Sequence, residues 1–124
     1  MQNFAGKLAV ITGAGSGFGR EFARLGASLG MRLALADVEA DALAATVAEL
    51  RGADRSADSI IEQTLDVADD AAMAAFAQRT IAQYGAPQQL FNHAGVGGGG
   101  LLWESTVADW QWVLGVTLMG VVHG

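Results

Sequence analysis

A chain of 124 residues that is 52% hydrophobic and 16% charged has enough apolar material for one domain whose strands are covered on both faces. Its net charge of −6 argues against nucleic acid or an anionic membrane as a partner, and no apolar run reaches transmembrane length. Without cysteine, and with His93 and His123 as the two histidines, thiolate chemistry is excluded and no metal site is expected; a cytoplasmic protein is the simplest reading.

Leu8-Ala9-Val10-Ile11 reads as a buried strand, followed at once by Thr12-Gly13-Ala14-Gly15-Ser16-Gly17-Phe18-Gly19. Glycine takes positive φ and lets the backbone approach a ligand closely. The helix that opens there aims free N–H groups and a positive dipole end at an anion. A dinucleotide pyrophosphate is the expected anion, with Ser16 the best side chain for a phosphate contact and Arg20 divided between phosphate and a surface ion pair. Phe18, Phe22, Leu25, Gly26 and Leu29 mark the stripe this helix is expected to bury, and Gly30 stops it.

Met31 to Ala36 is the second apolar run, and Asp37 ends it about 20 residues beyond the glycines, the separation that places a carboxylate beside an adenosine ribose. Such a carboxylate accepts from both ribose hydroxyls and repels a 2′-phosphate, and neither Ser16 nor Val38 supplies a cation to neutralise one. NAD is therefore favoured over NADP. The competing role for Asp37 is to cap the helix beginning near Glu39.

Leu43, Thr46, Val47 and Leu50 repeat the helical period, and Ile60 to Val67 reads as strand three. Asp69 and Asp70 open a third helix as cap and dipole partners, with Met73, Phe76, Ala77, Thr80, Ile81 and Tyr84 as its buried stripe and Gly85 as its end. Gln88 to Asn92 is a short fourth strand. Gly97 to Gly100 reads as a mobile loop, after which Thr106 to Asp109 forms a capping box. The helix that follows, Trp110 to Val122, carries no formal charge and so needs cover on every side.

The pattern β-α-β-α-β-α-β predicts a three-layer α/β/α fold with a parallel sheet in the order 3-2-1-4. Thr12-Gly13, Asp37, Asp66 and Asn92 would then share the carboxyl edge, where ligands bind at the chain reversal.

These residues resemble the short-chain dehydrogenase/reductase family and its Rossmann-type domain. Thr12 to Gly19 matches the Thr-Gly-x-x-x-Gly-x-Gly cofactor motif. Asp66-Val67 stands where the family packs the adenine, Asn92-His93-Ala94-Gly95 is similar to its Asn-Asn-Ala-Gly motif, and Trp110 to Gly124 is similar to its long fourth helix. The resemblance implies NAD(H) held by Gly13, Gly15, Ser16, Gly17, Phe18, Gly19, Asp37, Val38, Asp66, Val67, Asn92, Ala94 and Gly95. His93 is expected to fill the structural place of the motif's second Asn. Hydride exchange with a small alcohol or ketone would belong to the complete enzyme.

Two departures qualify this. Thr117 occupies the place of the family's catalytic Asn, and the family's Ser and Tyr-x-x-x-Lys fall beyond residue 124; the single Tyr84 and single Lys7 form no such pair. Residues 1–124 are thus expected to be one dinucleotide-binding domain, incomplete at its C-terminal side after the fourth helix, with no catalytic residue of its own. The alternative is a non-catalytic nucleotide-binding or assembly module. Trp103, Trp110 and Trp112 are read as packing or interface anchors rather than a ligand cage. An unpaired fourth strand and an uncharged last helix predict a homo-oligomer, with Trp112, Leu114 and Met119 at the contact.

Overall fold

The computed structural model describes residues 3–52 and 59–124. Four parallel strands, β1 (Leu8–Thr12), β2 (Arg32–Asp37), β3 (Ile60–Thr64) and β4 (Gln89–Asn92), lie in the order β3-β2-β1-β4. Helices α1 (Gly17–Ser28), α2 (Ala40–Arg51) and α3 (Asp70–Tyr84) connect successive strands. The chain closes with α4 (Val107–Leu114), a π-helical turn (Gly115–Met119) and α5 (Gly120–His123). This is the expected Rossmann-like order.

Every residue of β1 is buried, and its side chains alternate between two cores. Ala9 and Ile11 join Leu33, Leu35, Leu43 and Val47 in one, and Leu8 and Val10 join Ala34, Ile61, Met73 and Phe76 in the other. Truncating a residue as enclosed as Ile11 or Leu33 to alanine would cost about 2–5 kcal/mol. The strands end level, since Thr12 pairs with Ala36 on one side and Asn92 on the other, and Asp37 pairs with Thr64. One continuous carboxyl edge results.

The inner face of α1 differs from the predicted stripe. Gly19, Ala23 and Gly26 are buried, whereas Phe18 and Leu25 are 71% and 56% exposed. The reason is close approach: a Cβ on Gly19 would lie 2.0 Å from the Gly13 carbonyl oxygen, and one on Gly26 would lie 2.9 Å from Leu33. Small residues must face the sheet, so the large ones turn outward. Phe22 stays at the margin, stacked on Phe91 with ring centroids 4.6 Å apart. Similarly, Met73, Phe76 and Thr80 are buried on α3, but Ala77 and Ile81 border an open groove beside β4.

Strand three is shorter than its apolar run. Leu65 still donates its N–H to the Asp37 carbonyl, but the Asp66 carboxylate then accepts from Ala68 N and turns the chain. Helix α3 opens with Asp69 accepting from Ala72 N, and the Thr106–Asp109 capping box forms reciprocally.

Candidate functional site

The turn between β1 and α1 is built from glycines that do different work. Gly13 and Gly17 take positive φ, at 71° and 53°. A Cβ on Gly13 would reach within 2.9 Å of Ala94 N, and one on Gly15 within 2.9 Å of an Asp37 carboxylate oxygen. Gly17 faces open space. Ser16, the N-cap of α1, makes no side-chain capping bond, and no acidic residue stands in the first turn. Helices α2, α3 and α4 each carry an acid there. The dipole end of α1 is thus left for a ligand anion.

Asp37 lies at the end of β2 and spans the turn. Oδ2 accepts from Gly15 N at 2.8 Å, and Oδ1 accepts from Glu39 N at 2.9 Å. Asp37 thus bridges the glycine turn and makes a local turn onto Glu39, which is itself the N-cap of α2, so the carboxylate does not cap that helix. Arg20 points away from the turn and pairs with Glu49 at 2.7 Å, so its ion-pair role is the one realised.

Across the chain reversal, the buried Thr12 hydroxyl sews β1 to the end of β4. It accepts from His93 N and Ala94 N at 3.1 Å and donates to the Phe91 carbonyl at 3.4 Å. The His93 ring meets Phe18 and Phe22 edge-on. Asn92 turns toward the chain end, where a Cβ on Gly124 would overlap its Oδ1.

Thr117 sits within the π-helical turn. Its hydroxyl donates to the Val96 carbonyl at 3.2 Å and accepts from Val96 N at 3.4 Å. π turns recur at functional sites because they re-aim a helix locally. Here the turn lets one threonine clasp the backbone beyond β4. At the far end His123 Nδ1 lies 2.8 Å from the Val67 carbonyl, which only accepts, so the proton resides on Nδ1.

A cavity of about 460 Å³ opens along this edge. Of the predicted residues, Gly13, Ser16, Gly17, Asp37, Val38, Asp66, Val67, Ala94 and Gly95 line it. Gly15, Phe18, Gly19 and Asn92 do not line it: Gly15 supports Asp37, Gly19 sets the approach of α1, and Phe18 lies exposed on the α1 surface. The sequence reading missed Glu39, Leu65, Val96, Val116 and, above all, Trp112 as lining residues. Trp112 and Val116 stand four apart on one helix face, a signal present in the sequence but assigned there to packing and assembly. The tryptophans form no single cage, since Trp110 borders a separate space by the glycine loop and Trp103 is 79% exposed.

His93 also lines the cavity, whose charged groups are acidic. Asp37, Glu39 and Asp66 contribute carboxylates, and among the described residues no lysine or arginine lines it. Lys7 precedes β1 at the opposite edge, and Tyr84 ends α3 there too, with the Arg32 guanidinium 5.6 Å from its ring centroid. Neither reaches the cavity. Among the described residues no helix is long and apolar enough to cross a membrane.

Residues 7–124 match the family model of the short chain dehydrogenases. The chain is 40% identical over its whole length to a putative oxidoreductase, SadH, of Mycobacterium tuberculosis, covering 44% of that protein. It is 38% identical to a C alpha-dehydrogenase of Sphingobium, again over its whole length and 40% of the relative. A short chain dehydrogenase/reductase of Burkholderia phymatum, solved in complex with NAD, superposes with a TM-score of 0.94 at 55% identity; all of this chain and 43% of that one are covered. The chain thus spans less than half the length of these relatives. From the glycine turn to the final helix, it belongs to the short-chain dehydrogenase family.

Proposed function

We propose that residues 1–124 form the NAD(H)-binding part of an oxidoreductase that, as a longer protein, exchanges hydride with a small alcohol or carbonyl substrate in the cytoplasm. The observation that carries this reading is the carboxylate of Asp37, held by Gly15 and Glu39 on a cavity that no described lysine or arginine lines. The uncapped start of α1 and the open face of Gly17 suit a pyrophosphate. Asp37 suits a free ribose diol. A 2′-phosphate there would meet like charge at a cost of about 1–4 kcal/mol. Support also comes from the NAD complex of the Burkholderia relative.

When bound, the nicotinamide supplies or takes the hydride. This chain's part is to orient and hold the dinucleotide. Thr117 clasps Val96 and lacks the separate donor and acceptor of an amide, and no phenol with a nearby ammonium stands at the cavity to act as general acid.

Calorimetric titration with NAD+ and NADP+ tests the reading. Tighter binding of NAD+ is expected, with the difference narrowed by Asp37→Ala. Equal or tighter binding of NADP+ overturns it. The isolated chain should produce no NADH absorbance change with a panel of alcohols and ketones, and turnover that tracks a Gly17 substitution would refute that part.

A further inference from the structure

Resting on the dinucleotide reading, the geometry of the last helix assigns a further binding residue. We propose that the indole of Trp112 is the platform on which the adenine ring stacks.

The cavity has a direction. The glycine turn follows β1, and Asp37 ends β2, its neighbour. A ribose held by Asp37 with its pyrophosphate at the turn sends the base the other way, toward β3. That part of the cavity is lined by Val38, Leu65, Asp66 and Val67. Its floor is aliphatic apart from one carboxylate, and nothing on that floor offers a ring.

The opposite wall comes from α4 and the π-helical turn. Three contacts set their register against the Asp66–Ala68 turn. A Cβ on Gly115 would lie 3.6 Å from Ala68 Cβ, one on Gly120 would lie 2.5 Å from Val67 Cγ2, and His123 Nδ1 bonds the Val67 carbonyl at 2.8 Å. Helical residues three and four apart share a face. Trp112 stands one turn before Gly115 and lines the cavity together with Val116, as well as the space beside the glycine loop. It belongs to neither core cluster and is 54% exposed, so about half of the residue is open to a ligand. In a cavity where the described residues supply three carboxylates and no lysine or arginine, a neutral base is held by apolar and π contact rather than by charge.

The test is calorimetric titration of NAD+ and of nicotinamide mononucleotide, which lacks adenine, into the unaltered chain and three variants. Trp112→Leu should weaken NAD+ about tenfold, the scale of base–aromatic stacking. Trp112→Phe should keep most of the affinity, and Trp110→Leu all of it. Mononucleotide binding should ignore every variant. NAD+ binding should also quench tryptophan emission in the unaltered chain more than in Trp112→Phe. Circular dichroism checks folding, and Trp112→Gln replaces the leucine variant if that aggregates. Binding by the unaltered chain that Trp112→Leu leaves within twofold overturns the platform alone, as does equal weakening of the mononucleotide. An unaltered chain that binds no NAD+ overturns the dinucleotide reading and the platform with it.

Discussion

The carboxylate of Asp37 accepts the Gly15 N–H at 2.8 Å, so the end of the second strand holds the turn that follows the first. The same group accepts from Glu39 N, which leaves it oriented before any ligand arrives. Asp37→Asn has one acceptor oxygen for two N–H donors, so its amide must face one of them. The expected outcome is faster hydrogen exchange at the Gly15 or Glu39 amide and weaker NAD+ binding. Unchanged exchange at both amides, read by NMR, would show that the carboxylate does not brace the turn.

Gly19 and Gly17 should respond differently to alanine. At Gly19 the new Cβ meets the Gly13 carbonyl oxygen, which is backbone and cannot move aside cheaply. Gly19→Ala should cost about 1–3 kcal/mol as overpacking. Gly17 faces open space, so Gly17→Ala should bear just the left-handed backbone cost of about 1–2 kcal/mol. Urea midpoints rank the two, and a Gly17 variant less stable than the Gly19 variant contradicts this account.

Thr117→Val keeps the shape of the side chain and removes both hydrogen bonds to Val96. A loss of about 1 kcal/mol is expected, because the pair is near solvent and net values per bond are small. Faster exchange of the Val96 amide should accompany it. A variant with unaltered Val96 protection would mean that packing, not the hydroxyl, holds the π-helical turn.

Stability should fall at low pH through Glu49. Hydrogen bonds from Arg24 and then Arg20 draw its carboxyl down to about 2. A group depressed in the folded state stabilises above its unfolded pKa of about 4.3 and loses that contribution as pH falls through about 2. Between pH 5 and pH 2 the unaltered chain should therefore lose more stability than Glu49→Gln. The gap should shrink in high salt, since the ion pairs are exposed. Parallel pH profiles for the two proteins would remove Glu49 from the account.

Leu114, Leu118, Met119, Val121 and Val122 are all at least 41% exposed on the last helical segment. β4, paired with β1, has Leu90 43% exposed beside it. Apolar surface of this kind associates. Light scattering at several concentrations should detect a species larger than monomer, and Leu114→Glu with Met119→Glu should dissociate it. A monodisperse monomer at high concentration is the contrary result.

What the sequence determined by itself was local. Glycines at the turn, the caps at Asp69 and Thr106–Asp109, the α2 stripe and the β-α alternation each depend on residues a few positions apart, and the parallel order follows from the handedness of crossovers. Asp37 was legible for the same reason, because chain length between two strand ends sets its place. Tertiary structure alone decided where elements meet. The inner face of α1 is Gly19, Ala23 and Gly26 because the sheet and the turn come too close for Phe18, a distance no helical period encodes. Strand three stops at Thr64 because Asp66 turns the chain onto its own carboxylate. Trp112 joins the cavity wall because the last helix settles against Ala68 and Val67, with Gly120 too close to Val67 for a side chain, contacts made across some fifty residues of chain that a local reading of periodicity does not reach.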